Sequence, residues 1–195
     1  MVLHAWWGLN DFFKGFCDRL AEQGFIVLAP DLYNGKTAST IDEAERLSSK
    51  MDSVVVEKEL IGALEYLRAR TKQSGRGIGT VGFSLGAYWA LWLATERPDD
   101  IVATVLFYGT GRLGRFDQAK SKFLGHFAEK DPYEQLDYIR KLEENLRSAD
   151  KTVSFHIYPT TGHWFFESDR ADAYNEKAAG LAWDRTLKFL RDELK

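Results

Sequence analysis

Apolar and polar positions along the chain alternate between two periods. Val2 to Trp6 is a short apolar run, read as a strand, and Phe25 to Ala29 is an unbroken one stopped by Pro30. Ile78 to Val81 and Val102 to Phe107 repeat the continuous pattern, Ser121 to Ala128 is apolar enough for a strand, and Val153 to Tyr158 alternates. Short continuous runs of this kind suit strands buried on both faces. Between them lie stretches with helical spacing: Asp11 to Gln23, ended by Gly24, then Ile41 to Met51 and Val55 to Thr71, with Leu60, Leu64 and Leu67 on one side. Ala87 to Thr95, Tyr133 to Ser148 and a long final helix within Ala171 to Lys195 complete the set. Loops are expected at Asp31 to Thr40, Ser74 to Gly77, Arg97 to Asp100 and Pro159 to His163. Strands alternating with helices predict an α/β fold, a doubly wound, mainly parallel sheet of about six or seven strands with helices on both faces. Right-handed crossovers then gather the C-terminal strand ends along one edge, where ligands bind.

The 195 residues show no repeat, linker or low-complexity tract, so one domain over 1–195 is expected. A net charge of −3 gives no electrostatic reason to expect nucleic acid or an anionic membrane as partner. No apolar run approaches the ~20 residues of a membrane span. Met1 leads straight into an apolar strand without a basic leader, and Asp192-Glu193-Leu194 is followed by Lys195, which spoils a retention signal. With the single cysteine, Cys17, no internal disulfide can form, and a cytoplasmic protein is expected. Cys17 falls near the apolar side of its helix and reads as a small buried hydrophobe. No Cys/His spacing suggests a metal.

The chemistry concentrates at Gly82-Phe83-Ser84-Leu85-Gly86, a G-x-S-x-G between an apolar strand and a helix. That order is the nucleophile elbow, which lifts a serine oxygen above the sheet and aims the next N–H, that of Leu85, at whatever the oxygen attacks. Gly77-x-Gly79-x-x-Gly82 also spells the dinucleotide fingerprint, but there the strand must precede the glycines, and here it lies among them. An alcohol needs a base, and the base an acid to orient it. Of four histidines, His4, His126 and His156 fall in strands, and only His163 sits in a loop past a strand end and after Ser84. Asp131, in Glu129-Lys130-Asp131-Pro132, follows a strand between the two; its ordinary alternative is a helix N-cap before Pro132, as that of His163 is a solvated loop residue. Ser84, Asp131, His163 is the chain order of an α/β-hydrolase. A second oxyanion donor is expected from Trp6-Trp7-Gly8, after the first strand. Core packing is the commoner fate of tryptophan; Trp7 and Trp164, with Tyr33 and Tyr108 at strand ends on the same edge, are the candidates for pocket walls.

These segments resemble the dienelactone hydrolase family over nearly the whole length. His4-Ala5-Trp6-Trp7-Gly8-Leu9-Asn10, Gly24-Phe25, Ala29-Pro30-Asp31-Leu32-Tyr33 and the elbow are similar to its segments, as are Phe107-Tyr108-Gly109, Leu124 to Phe127 with Asp131-Pro132, and Tyr158-Pro159 with Gly162-His163 and Phe165. Tyr174, Ala178 and Trp183 resemble its closing helix. The resemblance implies hydrolysis of a small-molecule ester or lactone through an acyl-enzyme, without metal or cofactor, and assigns the first oxyanion N–H to Trp6. The alternative is a non-catalytic relative that uses the aromatic pocket for binding.

Four departures matter. The family's best-known members carry cysteine at the elbow where this chain has Ser84, and a glutamate where it has Ala5. A serine activated directly by His163 does not need that glutamate. Their substrate-holding arginine, four residues after the histidine, is here Glu167, which is expected to repel an anion and leaves dienelactone itself an unsuited substrate. Finally, the family has one or two strands before the segment where this chain begins, so Phe25 to Ala29 is expected at a sheet edge. An edge that apolar invites pairing, and another subunit in a homodimer, an internal element or residues upstream of Met1 are expected to cover it.

Overall fold

The computed structural model describes residues 1–71, 77–111, 114 and 116–194. Ser74, Gly75 and Arg76 of the expected loop, and Lys195 of the expected final helix, lie outside the described residues. Five parallel strands form one sheet in the order β1 (Val2–Leu3), β2 (Ile78–Phe83), β3 (Ile101–Phe107), β4 (Lys122–Ala128), β5 (Val153–Tyr158). The helices are α1 (Asp11–Glu22), α2 (Ile41–Ser48), α3 (Ser53–Thr71), α4 (Leu85–Glu96), α5 (Leu136–Ser148) and α6 (Glu176–Glu193). None of the described helices is long and apolar enough to cross a membrane.

Alternation along the strands sorts the core into two layers. Val81, Phe83, Val105, Phe107 and Leu124 join Phe13 and Phe16 of α1 and Ala182 and Leu190 of α6. Ile78, Leu106, Phe123 and Phe127 join Leu60 and Leu64 of α3, Ala90 and Leu93 of α4, and Leu142 of α5. Helices therefore cover both faces, and the doubly wound parallel architecture stands, with five strands instead of six or seven. The helix starts follow local chemistry. Asn10 accepts the Phe13 N–H at 3.2 Å at the head of α1, and Thr40 with Glu43 forms a capping box on α2. Two starts lie later than the sequence suggests: α5 begins at Leu136, not Tyr133, and α6 at Glu176, behind an Asn175 cap.

The edge is where the sequence reading needs correcting. Val2 to Trp6 gives only a two-residue strand, and Phe25 to Ala29 is no ladder strand. One ladder-like bond joins it to β1, from Val2 N–H to Leu28 O at 2.9 Å. Phe25, Val27 and Ala29 turn toward one core layer and Leu28 toward the other, so the segment is extended, but it is only half-buried and Ile26 is 60% exposed. Its apolar run supplies packing on alternate sides. With only β1 beside it, and β1 pairing for two residues, the backbone ladder is never completed. A cavity of about 400 Å³ opens there, lined by Val2, Leu20, Phe25, Val27, Ile78 and Leu190, away from the C-terminal strand ends.

Candidate active site

Each candidate residue follows a different strand on one edge: Trp6 after β1, Ser84 after β2, Tyr108 after β3, Asp131 after β4 and His163 after β5. β2 begins at Ile78, just after Gly77, and runs through Gly79 and Gly82, so the strand lies among the glycines of the dinucleotide spelling, as expected. Ser84 has φ 49° and ψ −110°, the strained left-handed turn of an elbow. Its N–H reaches Phe107 O at 2.9 Å and its carbonyl accepts the Ala87 N–H at 2.8 Å, which fixes the bend from both sides.

Ser84 Oγ lies 2.9 Å from His163 Nε2, and His163 Nδ1 lies 2.7 and 2.9 Å from the two carboxylate oxygens of Asp131. The imidazole and the carboxylate are both buried. A carboxylate can only accept, so Nδ1 carries the proton and Nε2 presents its lone pair to the serine hydroxyl. Asp131 Oδ1 also accepts the N–H groups of Tyr133 and Glu134, at 2.9 and 3.0 Å. Asp131 is therefore not a helix cap, since α5 starts only at Leu136 behind Gln135; the same side chain holds the turn after β4 and the imidazole of His163. Leu85 opens α4, where first-turn N–H groups lack an intrahelical partner.

The other histidines are occupied. His4, just past β1, directs Nδ1 to Ala5 O at 2.7 Å and accepts the Leu32 N–H at Nε2, at 3.1 Å. His126 lies between Tyr158 Oη and Thr186 Oγ1, and burial holds its pKa well below the usual imidazole range. His156 is half-buried against it, with its pKa lowered by the same cause. Burial likewise pushes the Cys17 thiol up to about 11, so little thiolate exists at neutral pH.

The aromatic candidates divide. Trp164 lies 5.3 Å from the His163 ring and stacks on Trp6 at 6.2 Å; Tyr133 closes the group at 5.0 Å from His163 and 5.7 Å from Trp6. A cavity of about 380 Å³ adjoins them, lined by Pro132, Tyr133, Gly162, His163, Trp164 and Tyr174. Trp7 is buried beneath, 5.2 Å from Trp164, with the Arg170 guanidinium 3.5 Å above its ring. Tyr33 packs on His4 at 5.2 Å, and Tyr108 is fully buried, 5.0 Å from His163. Tyr133 escapes the sequence reading, and Arg170, visible there only as an arginine near Glu167, is placed over Trp7. Only adjacency to Asp131-Pro132 points to Tyr133.

Glu167 requires a correction. It does not face the site as a charge. It is completely buried and accepts the Tyr108 hydroxyl at 2.7 Å, and burial raises its pKa to about 8. Between the ordinary glutamate value near 4.5 and about 8, the folded chain keeps a proton that the unfolded chain releases. Stability is therefore lost as pH rises through that window. In urea titrations at pH 5, 6, 7 and 8, Glu167→Gln should gain on the wild type progressively; a constant difference would show that Glu167 is ionised throughout.

A parallel sheet with helices on both faces, carrying a serine on a strained strand-to-helix turn against a histidine and an aspartate, defines a hydrolase of the α/β-hydrolase class. The sequence model of the dienelactone hydrolase family matches residues 1–194, and the chain belongs to that family. Among its relatives, Protein usf of Aquifex pyrophilus is 30% identical over 202 residues, all of this chain and 87% of the relative. A protein of Aquifex aeolicus, provisionally named a carboxymethylenebutenolidase, is 28% identical over all of this chain and 88% of its own length. A dienelactone hydrolase-like promiscuous phosphotriesterase from metagenomic libraries superposes with a TM-score of 0.85 at 21% identity, over all of this chain and 85% of that one.

Proposed function

We propose that this chain is a cytoplasmic, serine-dependent hydrolase of carboxylic ester or lactone bonds in small molecules, working through an acyl-enzyme. The observation that carries the reading is the continuous contact from Ser84 Oγ through the His163 ring to Asp131. Ser84 Oγ bonds to the substrate carbonyl carbon while its proton passes to His163 Nε2. The tetrahedral oxyanion is received by the N–H groups of Leu85 and Trp6. On collapse the carbon–oxygen bond to the leaving alcohol breaks, and that alcohol takes the proton from Nε2. Water then repeats the sequence, giving its proton to Nε2, attacking the acyl carbon and releasing the acid as Ser84 recovers its hydrogen. Asp131 orients the ring and faces the imidazolium that forms at each attack.

The family name and the relative provisionally named a carboxymethylenebutenolidase support an ester or lactone substrate. The aromatic group of Trp6, Tyr133 and Trp164 around His163 favours neutral or apolar acyl and alcohol parts. Fluorophosphonate labelling, read by intact mass and peptide mapping, tests the reading. A single adduct on Ser84, absent from Ser84→Ala, is expected. Well-folded protein that takes no label would overturn it, leaving the aromatic site as a binding pocket.

A further inference from the structure

Two fully buried side chains beside the catalytic histidine have no part in the chemistry just described. Tyr108 follows β3 with φ 36°, a conformation uncommon for a tyrosine. In a continuing strand, Phe107 and Tyr108 would point to opposite faces. Here both pack in the same core layer, because the positive φ turns the second ring back under the site. Its backbone N–H is tied to His126 O at 2.8 Å, and its ring lies 5.0 Å from that of His163 at an interplanar angle of 56°. Its hydroxyl donates to Glu167 Oε1 at 2.7 Å. Glu167 belongs to the loop that carries His163, which is folded by turns from Phe165 N–H to Gly162 O and from Glu167 N–H to Trp164 O. The base loop therefore grips the Tyr108 ring twice, by contact with the imidazole and by a hydrogen bond four residues on.

That grip supplies a constraint Asp131 cannot. The two oxygens of Asp131 hold the imidazole at one atom of its edge, Nδ1, and leave its remaining tilt to the groups packed around the ring. That tilt is limited by the neighbouring rings, Tyr108 and Tyr133 at 5.0 Å and Trp164 at 5.3 Å. Tyr133 is 46% exposed, whereas Tyr108 is completely buried. Among the described residues Glu167 Oε2 is buried with no hydrogen-bond partner, an arrangement that packing alone does not favour.

We propose that Tyr108 and Glu167 are a positioning pair that sets the plane of the His163 imidazole, and with it the aim of Nε2 at Ser84. The inference rests on the reading of His163 as the general base. Misaiming a base by a fraction of an ångström lowers turnover more than binding, so Tyr108→Phe should reduce kcat for a 4-nitrophenyl ester about tenfold, with KM within about twofold. Glu167→Leu should do the same. Glu167→Gln should recover most of the loss, because an amide oxygen accepts the same hydroxyl. A purely structural pair would lower Tm and leave kcat of the folded variants unmoved. With the wild type labelled on Ser84 and Ser84→Ala inactive, unchanged kcat in Tyr108→Phe and Glu167→Leu overturns the pair alone. A wild type that takes no label on Ser84 overturns the base reading and the pair together. Should Glu167→Leu not fold, Tyr108→Phe decides, since it removes one oxygen.

Discussion

Ser84→Ala is expected to lower kcat for any ester or lactone the enzyme turns over by about 10⁴-fold or more, with little change in KM. The size follows from what is removed. Leu85 and Trp6 would still receive an oxyanion, but nothing would remain to form the acyl-enzyme, and water would have to attack unaided. The elbow should survive, because it is held through backbone atoms: the Ser84 N–H on Phe107 O, and the Ala87 N–H on Ser84 O. Circular dichroism and a Tm near that of the wild type would establish that the loss is chemical. A residual rate within tenfold of the wild type would remove Ser84 from the mechanism.

The second large effect concerns stability. Gly86→Ala should destabilise the fold by about 3 kcal/mol or more, against an ordinary helix gain of up to about 1 kcal/mol for replacing glycine by alanine. Gly86 lies in the first turn of α4, where it crosses β1. A Cβ there would fall on the carbonyl oxygen of Leu3, 2.6 Å from the carbonyl carbon of that residue and 2.7 Å from His4 O. These are backbone atoms, so no side chain can swing away and the strand or the helix must shift. Gly82 is confined in the same way from the other side of the turn, by the backbone of Gly86 and Ala87. Gly180, in α6, provides the comparison, since a Cβ added there would meet nothing within 4 Å, and Gly180→Ala should be neutral or slightly stabilising. Urea unfolding of the three proteins gives the sign and size, and a Gly86→Ala variant as stable as the wild type would refute the close approach.

Much of this arrangement is legible in the sequence because it rests on local rules. Ile78 to Val81, Val102 to Phe107 and Val153 to Tyr158 are strands because short apolar runs bounded by loops have few other solutions. The elbow is visible because only glycine fits where helix, strand and serine meet. Asp131 and His163 can be picked out because strand order leaves few carboxylates and imidazoles past a strand end. What stays hidden depends on neighbours distant in sequence. Phe25 to Ala29 has the apolar pattern of a buried strand, yet a strand needs a partner backbone along its length, and β1 offers one for two residues only. Glu167 reads as a charge facing the substrate because it stands where the family carries its substrate-holding arginine. Its burial follows from Tyr108, 59 residues earlier, which supplies a hydroxyl where the loop turns inward. The backbone strain at Tyr108 leaves no mark in composition or periodicity. Trp7 and Tyr33 stand behind Trp164 as pocket candidates in the chain, and only three dimensions set them beneath the surface layer or on His4.

The hydrogen-bonded line from serine to aspartate joins residues 79 and 32 positions apart in the chain. Its members hang from β2, β4 and β5, with β3 between the first two. Parallel pairings of this separation form slowly, since a long segment must be ordered before each one is rewarded. Helices can appear early from local contacts, but the serine cannot meet its base until four strands stand side by side in register. Under the proposed mechanism, reactivity at Ser84 belongs to the completed sheet alone. A nascent or partly refolded chain, however helical, carries an ordinary alcohol at Ser84 until those strands are in place.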